Sequence, residues 1–592
     1  MHILTLGLVA LAQTCFIPGL IIVKLCLGKE NLNKLLPTSF AISLIFNWVA
    51  IFYATKFGVF NTSFLYLIFA AELILTAVIL LKKVGSSTSY IVEQRSDLNH
   101  NVRVISFIVV ILAIFIVMPK LGHIFTDNDA VLSWNRWATI WATNQIPTDT
   151  MHYPQLLPAN YALSYVLVGS TAIQFFAFAI SIFFFPLACI SFFNAAERVN
   201  DSRLHLANFF FFLFMILYGN MANGWADIPV ACMAVISINL FILGWNETEK
   251  NKESAAKLIL FSSLIAAGCA VTKQAGIFYS ILNVIAVCIW VIRNYKEPLQ
   301  RIKFIVLLFI AYLIVCLPWY IEAQHNINTG LNSSEIQYVT NSIYKGKSYL
   351  SRFLTAFIKW PGYFILALIS LPAIRDRNYR WPTLAGILFL VVWALFFSYD
   401  SRNFTLGVPL LAIGAGAAWL MQGIWIPKIS FKIPNIKYRL RARNMALIGS
   451  LIIITSALVP DKFLIELQEI QKVKVGNEYH NLALYNAFSK YGEGRVISNE
   501  SLLPFASRMP KDVLLHYEFY DHTQDNEALF VKYLSDPKLR FIIVDSKGLS
   551  ENIKLLIIKK LKDGTFKLIQ NIKINRKRED PLYLVSPPGT HI

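Results

Sequence analysis

The sequence predicts an α-helical polytopic membrane protein with about fourteen transmembrane helices and a small C-terminal α/β domain. Two observations predict this fold class. The chain of 592 residues is 56% hydrophobic, with a mean hydropathy of +0.53. Apolar stretches of about 17 to 25 residues, the length that crosses a bilayer as a helix, recur along the chain as far as Pro460. These stretches lack the alternation of barrel strands, so the spans are predicted to be helical.

The individual spans follow from length and apolarity. In chain order they are residues 3–27, 37–55, 62–81, 104–121, 172–193, 204–221, 227–245, 256–271, 276–292, 304–321, 353–373, 382–399, 403–422 and 444–460. The first has no basic n-region and no small-residue cleavage site, so we expect a retained span and not a signal peptide. Residues 156–169 are apolar but short, which predicts a helix lying in or dipping into the outer membrane interface.

The distribution of Lys and Arg predicts the orientation in the membrane. Alternate loops carry roughly 24 basic residues against about 8 in the opposite set, which is the bias of cytoplasmic loops. The N-terminus, the first external loop 122–171, the loop 322–352 and the C-terminal tail are therefore expected outside. All seven cysteines lie in apolar segments, so no disulfide framework is predicted. This and the small external loops favour a bacterial inner membrane with the site on the periplasmic side.

After Pro460 the composition becomes mixed and charged for about 130 residues, the size of one small domain. Residues 495–498 and 541–545 are typical of short buried strands, and helical patterns cover 478–491, 525–535 and 551–562. We therefore predict a transmembrane catalytic domain over residues 1–460 and a soluble, extracytoplasmic α/β domain over 461–592.

The net charge of +19 raises the question of whether the protein binds nucleic acid. Most of the basic residues lie in short inter-helix loops and in the tail, without a basic face carrying interleaved aromatic residues. Membrane lipid head groups and topology explain the charge better, and no nucleic-acid partner is predicted. The sequence contains no Gly-rich phosphate loop, Cys/His metal spacing or fixed-period repeat. No certain cofactor follows, although a divalent cation would suit paired acids.

The first external loop carries the acids Asp127 and Asp129 just beyond a predicted span. A partly desolvated carboxylate there can act as a general base on an acceptor hydroxyl or amine, or can help to hold a divalent cation. The alternative is an Asx turn or helix N-cap, since these residues precede a helical pattern from Ala130 to Asn144.

The same loop contains Trp134, Trp137 and Trp141 at helical spacing, which suits an interfacial aromatic belt, with sugar stacking as the alternative. His152 and Tyr153 follow, and two nearby prolines would hold them extended or turned towards a cavity. A solvated surface histidine is the alternative.

Three further charged positions stand at predicted external helix starts. Asp227 opens one span, where it is either functional or complements the helix dipole. Lys273, followed by Gln274, interrupts a long apolar stretch; it suits a lipid-linked phosphate, or it snorkels to the interface. Arg402 suits a pair of phosphate oxygens, with Asp400 as an alternative structural partner.

These short motifs resemble, in their order, those of the GT-C superfamily of integral membrane glycosyltransferases. Relatives in that superfamily include protein O-mannosyltransferases, the lipid A aminoarabinose transferase and a bacterial group that modifies lipopolysaccharide core sugars. The matching segments are Asp129-Ala-Val-Leu-Ser-Trp-Asn-Arg-Trp-Ala, Tyr153-Pro-Gln-Leu-Leu-Pro158, Ala226-Asp227-Ile-Pro229, Thr272-Lys273-Gln274-Ala-Gly276 and Arg402 through Pro409. Two features depart from the bacterial group: Gln274 and Ala275 stand where it has Asn-Glu, and three extra spans precede the loop.

The resemblance implies an inverting transfer of a sugar from a polyprenyl-phosphate carrier to a lipid, glycan or protein acceptor on the external face. Asp129 is expected to be the general base, with Asp127 and Asp227 as alternative or acceptor-orienting acids. Lys273 and Arg402 are expected to bind the donor phosphate. The expected substrate-binding residues are Trp134, Asn135, His152, Tyr153 and Gln274.

Three other functions remain open. A transporter or flippase of lipid-linked glycans would favour midplane charges and broken helices. An oligosaccharide ligase or polymerase would favour a larger, Arg-rich external loop. A non-catalytic membrane scaffold would use its external domain to bind a partner.

Overall fold

The structure, a computed structural model, describes residues 2–27, 32–81, 100–127, 129–148, 150, 152–219, 221–328, 347–423, 459–476, 486–487, 489–492, 494–498, 514–515, 530–531, 534–543, 551–575 and 578–585. The chain divides into two compact units. The first comprises Met1–Gly122, Trp137–Thr171 and Phe175–Asp461. The second comprises His123–Arg136, Ala172–Gln174 and Lys462–Ile592.

Helices make up nearly all of the described chain as far as Met421. They are α1 Ile3–Cys15, α2 Ile17–Leu27, α3 Leu32–Lys56, α4 Thr62–Leu81, α5 His100–Val117, α6 Arg136–Ala142, α7 Leu156–Val168, α8 Phe175–Val199, α9 Ser202–Tyr218, α10 Asp227–Glu247, α11 Lys252–Ala270, α12 Ala275–Asn294, α13 Pro298–Val315, α14 Leu317–Asn328, α15 Tyr349–Lys359, α16 Pro361–Ser370, α17 Arg380–Phe396 and α18 Gly407–Met421. Short 3-10 segments cover Met118–Lys120, Leu371–Arg375 and Ser401–Phe404, and a π-helix covers Ala130–Asn135.

Eight helices of the described chain are long and apolar enough to cross a membrane, or nine if a bent pair counts as one span. They are Ile3–Leu27, Leu35–Lys56, His100–Lys120, Phe175–Val199, Asp227–Glu247, Lys252–Ala270, Ala275–Asn294 and Pro298–Val315. The chain is therefore an integral membrane protein.

The predicted number of about fourteen spans is not confirmed. Three of the predicted spans correspond to apolar helices shorter than 18 residues, namely Ser202–Tyr218, Arg380–Phe396 and Gly407–Met421. The hydropathy windows had included loop residues at the ends of these helices. The predicted span 444–460 lies almost wholly outside the described residues.

The predicted span 353–373 is not one continuous helix. Helices α15 and α16 occupy this region and are bent by 88° relative to one another. Trp360, between them, has the non-helical angles φ −130° and ψ 51°. The cause is Pro361, which has no N–H for an intrahelical hydrogen bond and disfavours helical angles at the residue before it.

Residues 156–169, predicted to lie in or dip into the outer membrane interface, form a helix that is enclosed by protein. They form α7, in which every residue except Val166 and Val168 is buried, packed against α1, α3 and α8. The Asn160 amide donates to Leu44 O at 3.0 Å and so joins α7 to α3. A helix that is apolar on all sides is stabilised among other helices, and the sequence did not show that partners surround this one.

In the second unit a five-stranded sheet has the order β2-β1-β3-β5-β4. Its strands are β1 Arg495–Ser498, β2 Leu514–Leu515, β3 Leu539–Ile543, β4 Phe566–Asn575 and β5 Arg578–Val585, and its helices are α19 Asp461–Gly476 and α20 Glu551–Lys562. Strand β1 runs parallel to β2 and β3, whereas β5 runs antiparallel to β3 and β4. Ile553 and Ile557 of α20 are in a core cluster with Ile542 and Phe566 of the sheet.

The strands predicted near 495–498 and 541–545 are present, and so is the helix over 551–562. The helical patterns at 478–491 and 525–535 lie largely outside the described residues. The domain boundary after Pro460 and the external placement of the tail stay predictions.

Candidate functional site

Three helix starts of the first unit bring charged and polar side chains together. Asp227 is the first residue of α10, Lys273 stands two residues before α12, and Asn403 lies in the 3-10 turn that precedes α18. The Lys273 ammonium forms an ion pair with the Asp227 carboxylate. It also donates to Asn403 Oδ1 at 3.1 Å. We call this group the polar cluster, together with Arg402, Asp400 and Trp225, described next.

Arg402 is held by two neighbours. Its backbone N–H donates to Asp400 Oδ1 at 2.9 Å, and its Nε donates to Asp400 Oδ2 at 2.7 Å. The guanidinium carbon lies 4.2 Å from the centroid of the Trp225 ring, a cation–π contact. Burial favours a higher pKa for Asp400, but its hydrogen bonds and charge attraction to Arg402, with the charge of Lys273, lower this pKa below the usual value. The alternative that Asp400 is the structural partner of Arg402 is confirmed.

The polar cluster is largely withdrawn from solvent. The Lys273 and Asp227 side chains are 12% and 6% exposed. Trp225 Nε1 is buried and has no hydrogen-bond partner among the described residues. A buried donor left unsatisfied costs about 1–3 kcal/mol. Each helix start adds a partial positive charge of about half an elementary charge. The cluster is therefore suited to accept an anionic or hydroxyl-bearing group.

Aromatic side chains hold the 3-10 turn in position. The Tyr363 hydroxyl donates to Ser401 O at 3.2 Å, and its ring lies 4.5 Å from that of Phe404 between centroids. Trp393 Nε1 donates to Asp400 O at 3.1 Å. Rotation of the Arg402-bearing turn would break these contacts, so the guanidinium is presented in a fixed direction.

The segment that carries Tyr153 lies beside the Lys273 turn. Leu156 N donates to Val271 O at 2.9 Å, a contact two residues from Lys273. The Tyr153 ring stacks on Trp137, with centroids 6.0 Å apart and an interplanar angle of 30°. This segment is thus joined by a backbone hydrogen bond to the polar cluster's own turn.

His152 has φ 64°, in the left-handed region that non-glycine residues seldom adopt. Burial lowers the pKa of His152 below its usual value of 6.5, and a hydrogen bond with Gln324 opposes this shift. The neutral imidazole is therefore favoured near neutral pH. The side chain is half-buried, so the structure leaves open the alternative of a solvated surface histidine.

The prediction of an aromatic belt is wrong for the three tryptophans of the first loop. Trp134 and Trp137 are each 5% exposed and Trp141 is 0% exposed. Trp141 Nε1 donates to Gln155 Oε1 at 3.2 Å, and its ring contacts Trp48 at 6.0 Å between centroids. These rings are enclosed by protein, whereas belt residues lie at the lipid–water boundary.

Asp127 and Asp129 belong to the second unit. Asp129 is exposed, and its side chain makes no capping hydrogen bond to the π-helix Ala130–Asn135. The predicted helical run to Asn144 begins as this π-helix and continues as α6 to Ala142. The N-cap interpretation is therefore wrong for the Asp129 carboxylate. π-helical turns occur frequently at functional sites.

Glutamine side chains hold the start of this loop within the second unit. Phe125 N donates to Gln174 Oε1 at 3.2 Å, and Gln174 N donates to Gln468 Oε1 of α19 at 2.8 Å. Ile124 N donates to Gln471 Oε1, also of α19, at 3.1 Å. Helix α19 thus fastens the segment that leads to Asp127.

Of the predicted site residues, the structure brings together Asp227, Lys273 and Arg402. Arg402 joins the other two because Asn403, the next residue, accepts a hydrogen bond from Lys273. Gln274 directly precedes α12 and accepts from Ile277 N at 3.0 Å through its backbone oxygen. Trp134 and Asn135 are buried residues of the second unit. The described residues contain no group of three or more His, Cys, Asp or Glu side chains that could hold a metal ion.

Sequence reasoning missed Trp225, Asn403 and the three glutamines. Trp225 and Asn403 lie one or two residues from motif positions, which is the only signal that could have found them. The glutamines carry no sequence signal, since they act through contacts far apart in the chain.

The chain is thus an integral membrane protein with a buried polar cluster where three helices begin. No protein-family model matches it, and no curated protein is significantly similar. Among solved structures it is similar to ArnT from Cupriavidus metallidurans bound to undecaprenyl phosphate, with a TM-score of 0.47 and 13% identity over 81% of this chain and 97% of that chain. It is also similar to the archaeal oligosaccharyltransferase AglB from Archaeoglobus fulgidus in complex with an inhibitory peptide and a dolichol-phosphate, with a TM-score of 0.38 and 11% identity over 74% of this chain and 69% of that chain. Likeness at this level carries no argument, so function is argued from the chain's own residues.

Proposed function

We propose that this membrane protein is a glycosyltransferase that moves a sugar from a polyprenyl-phosphate carrier to a lipid, glycan or protein acceptor on the external face. The observation that carries the proposal is the polar cluster. Two oriented cations, Lys273 and Arg402, and the buried Trp225 N–H stand where three helices begin, and this combination suits a phosphate group. The motif resemblance supports a sugar as the transferred group.

A phosphate leaving group needs mainly charge stabilisation as the bond from sugar C1 to the phosphate oxygen breaks. Lys273 and Arg402 are the proposed source of this stabilisation. Each is held by a carboxylate, Asp227 or Asp400, so the cations stay in position in the absence of donor. Asp227 is a poor candidate for the base, because its carboxylate is already in contact with the Lys273 ammonium.

The acceptor must lose a proton as its oxygen or nitrogen attacks C1 from the face opposite the phosphate, which inverts the configuration. We propose that Asp129, whose side chain is exposed, accepts this proton, with Asp127 as the alternative base. The carrier leaves as polyprenyl phosphate. The pair Asp127 and Asp129 would also supply carboxylate oxygens to a divalent cation.

We assign substrate contacts to Trp134, Asn135, His152, Tyr153 and Gln274. Neutral His152 and the stacked Tyr153 offer hydrogen-bonding groups for sugar hydroxyls without adding charge. The site and the C-terminal unit are proposed to face the periplasm of a bacterial inner membrane.

The test uses purified protein in lipid vesicles with a panel of polyprenyl-monophosphate sugars. Transfer is expected for one donor, and Asp129→Asn should reduce it by roughly 10²- to 10⁴-fold. Glu253→Gln is the matched control, because it makes the same acid-to-amide change on a carboxylate that is 80% exposed in the first turn of α11. Full activity of Asp129→Asn would remove this residue from the role of base.

Donor binding is tested separately. Lys273→Met and Arg402→Gln should weaken binding of polyprenyl monophosphate to the purified protein, whereas Glu253→Gln should not. If neither variant affects binding, the polar cluster is not the phosphate site. An alkaline phosphatase reporter fused after Pro460 should be active outside the cytoplasm, and a purely cytoplasmic signal would reverse the topology.

A transporter of lipid-linked glycans is the second candidate, because the 88° bend between α15 and α16 is the kind of broken helix that transporters use. The polar cluster favours the transferase, since its charges stand at helix starts, whereas a transporter would favour charges at the membrane midplane. Movement of the intact lipid-linked sugar across vesicles without any transfer would favour the transporter.

A further inference from the structure

Helix α20 of the second unit exposes a stripe of large aliphatic side chains flanked by lysines. Leu555 is 62% exposed and Ile558 is 47% exposed. Lys559 and Lys562 are also exposed. Their spacing from Leu555, at three, four and seven residues, places all four side chains on one face of the helix. The opposite face is fixed by the buried Ile553 and Ile557, so the stripe cannot turn inward.

A third exposed aliphatic side chain lies on β4, the strand that α20 contacts. Leu568 of β4 is 46% exposed, although Phe566, two residues earlier, is 4% exposed and belongs to the core under α20. Alternate residues of a strand share a face, so Leu568 lies on the side of the sheet that α20 covers. Leu555, Ile558 and Leu568 are therefore exposed on the helix-covered side of the sheet.

The charge around this stripe is strongly positive. Residues 551–578 contain nine Lys and Arg residues and only two acidic residues, Glu551 and Asp563. Lys554 is paired with Glu551 and Lys560 with Asp563. Positive side chains beside exposed aliphatic ones are the composition of helices that lie on anionic membranes.

We propose that the α20 stripe, defined as Leu555, Ile558, Lys559 and Lys562, docks on the surface of a bilayer that contains anionic phospholipid. The aliphatic side chains enter the head-group region and the lysines contact lipid phosphates. A protein partner is less favoured, since interface cores are depleted in lysine. Nucleic acid is less favoured, since the stripe presents no aromatic residue for stacking.

The test is amide hydrogen exchange of the full-length protein in nanodiscs of phosphatidylcholine, with and without phosphatidylglycerol. Exchange of residues 551–562 is expected to slow when phosphatidylglycerol is added. Each lysine near an anionic surface contributes a factor of about five to docking, so Lys559→Glu with Lys562→Glu should reduce the docked fraction by roughly 25-fold or more and remove this protection. Leu555→Ser with Ile558→Ser should also reduce it.

The matched control is Lys462→Glu with Lys490→Glu, which makes the same change of net charge at two other exposed positions of the second unit. It should leave the protection unchanged. Each variant is expected to fold, because all four stripe side chains are exposed. Unchanged amide exchange in strand β3 checks that it does. Exchange that does not depend on phosphatidylglycerol would overturn the proposal. A protein contact would be favoured instead if the unaltered protein were protected equally in both lipid mixtures and Leu555→Ser with Ile558→Ser removed that protection. This result would also overturn the proposal.

Discussion

The ion pair between Asp227 and Lys273 should dominate the stability of the polar cluster. Both side chains are buried, at 6% and 12% exposure, and the lysine also donates a hydrogen bond of 3.1 Å to Asn403. Removing one partner of a buried pair leaves an uncompensated charge, which costs about 3–5 kcal/mol. Lys273→Met and Asp227→Asn should therefore each lower the free energy of unfolding by that amount.

The double variant Asp227→Asn with Lys273→Met has no charge left to desolvate. Replacing both partners of a buried pair is often neutral, so this variant should be more stable than either single variant. The expected coupling energy is about 3 kcal/mol or more, well above the error of such cycles. Titration with SDS in mixed micelles, followed by tryptophan fluorescence, measures the three changes relative to the unaltered protein.

Additive losses in the cycle would refute this reasoning, because they would mean that the two side chains do not interact in the folded protein. The proposed function adds a second readout. The double variant is expected to be stable but unable to bind polyprenyl monophosphate, since the binding cation is gone. If the double variant still binds polyprenyl monophosphate and the coupling energy is large, the role of the Asp227–Lys273 pair is purely structural.

Three further predictions concern other parts of the first and second units. Gln468→Leu removes the acceptor of Gln174 N, at a cost of about 1–3 kcal/mol, and should speed amide exchange over residues 123–127. Unchanged exchange over these residues would contradict the anchoring role. The pKa of His152 is lower in the folded protein than its usual 6.5, so the unfolded chain takes up the proton first as the pH falls. The contribution of His152 to the free energy of unfolding is therefore full above about pH 6.5 and declines below it. His152→Gln should flatten the curve of stability against pH below about 6.5, and an unchanged curve would contradict this. Gly362→Ala would place a methyl group against the hydroxyl and the ring carbons of Tyr218, and it should cost about 1–3 kcal/mol in the same SDS titration. An unchanged titration would mean that the Tyr218 ring moves aside without loss of stability.

The break between α15 and α16 at Pro361 shows that a hydropathy average can miss the end of a helix inside an apolar segment. Residues 353–373 have the average apolarity of one span, and averaging over a window does not register that a proline ends a helix. The sequence Trp360-Pro361-Gly362 carried this signal. By contrast, nothing local distinguishes α7 as a buried helix, because burial on every side depends on the neighbours α1, α3 and α8.

The charged positions of the site could be predicted one by one, since an ionisable residue at the end of an apolar stretch stands out in the sequence. Their pairing could not. Asp227 and Lys273 are 46 residues apart, and Lys273 and Asn403 are 130 residues apart. Trp134, Trp137 and Trp141 had the spacing of a lipid-facing belt, and only packing against residues such as Trp48 made Trp141 a core residue.

The amino-acid sequence by itself determined that this is a helical membrane protein, where most helices run, and which acids and bases stand at helix starts. These properties depend on the free energy of moving short segments from water to lipid, which is a sum over neighbouring residues. Only the tertiary structure decided which helix starts meet, which carboxylate holds which cation, and which aromatic rings are enclosed. Those outcomes depend on close packing between distant segments, where contact within a few ångströms decides the partner.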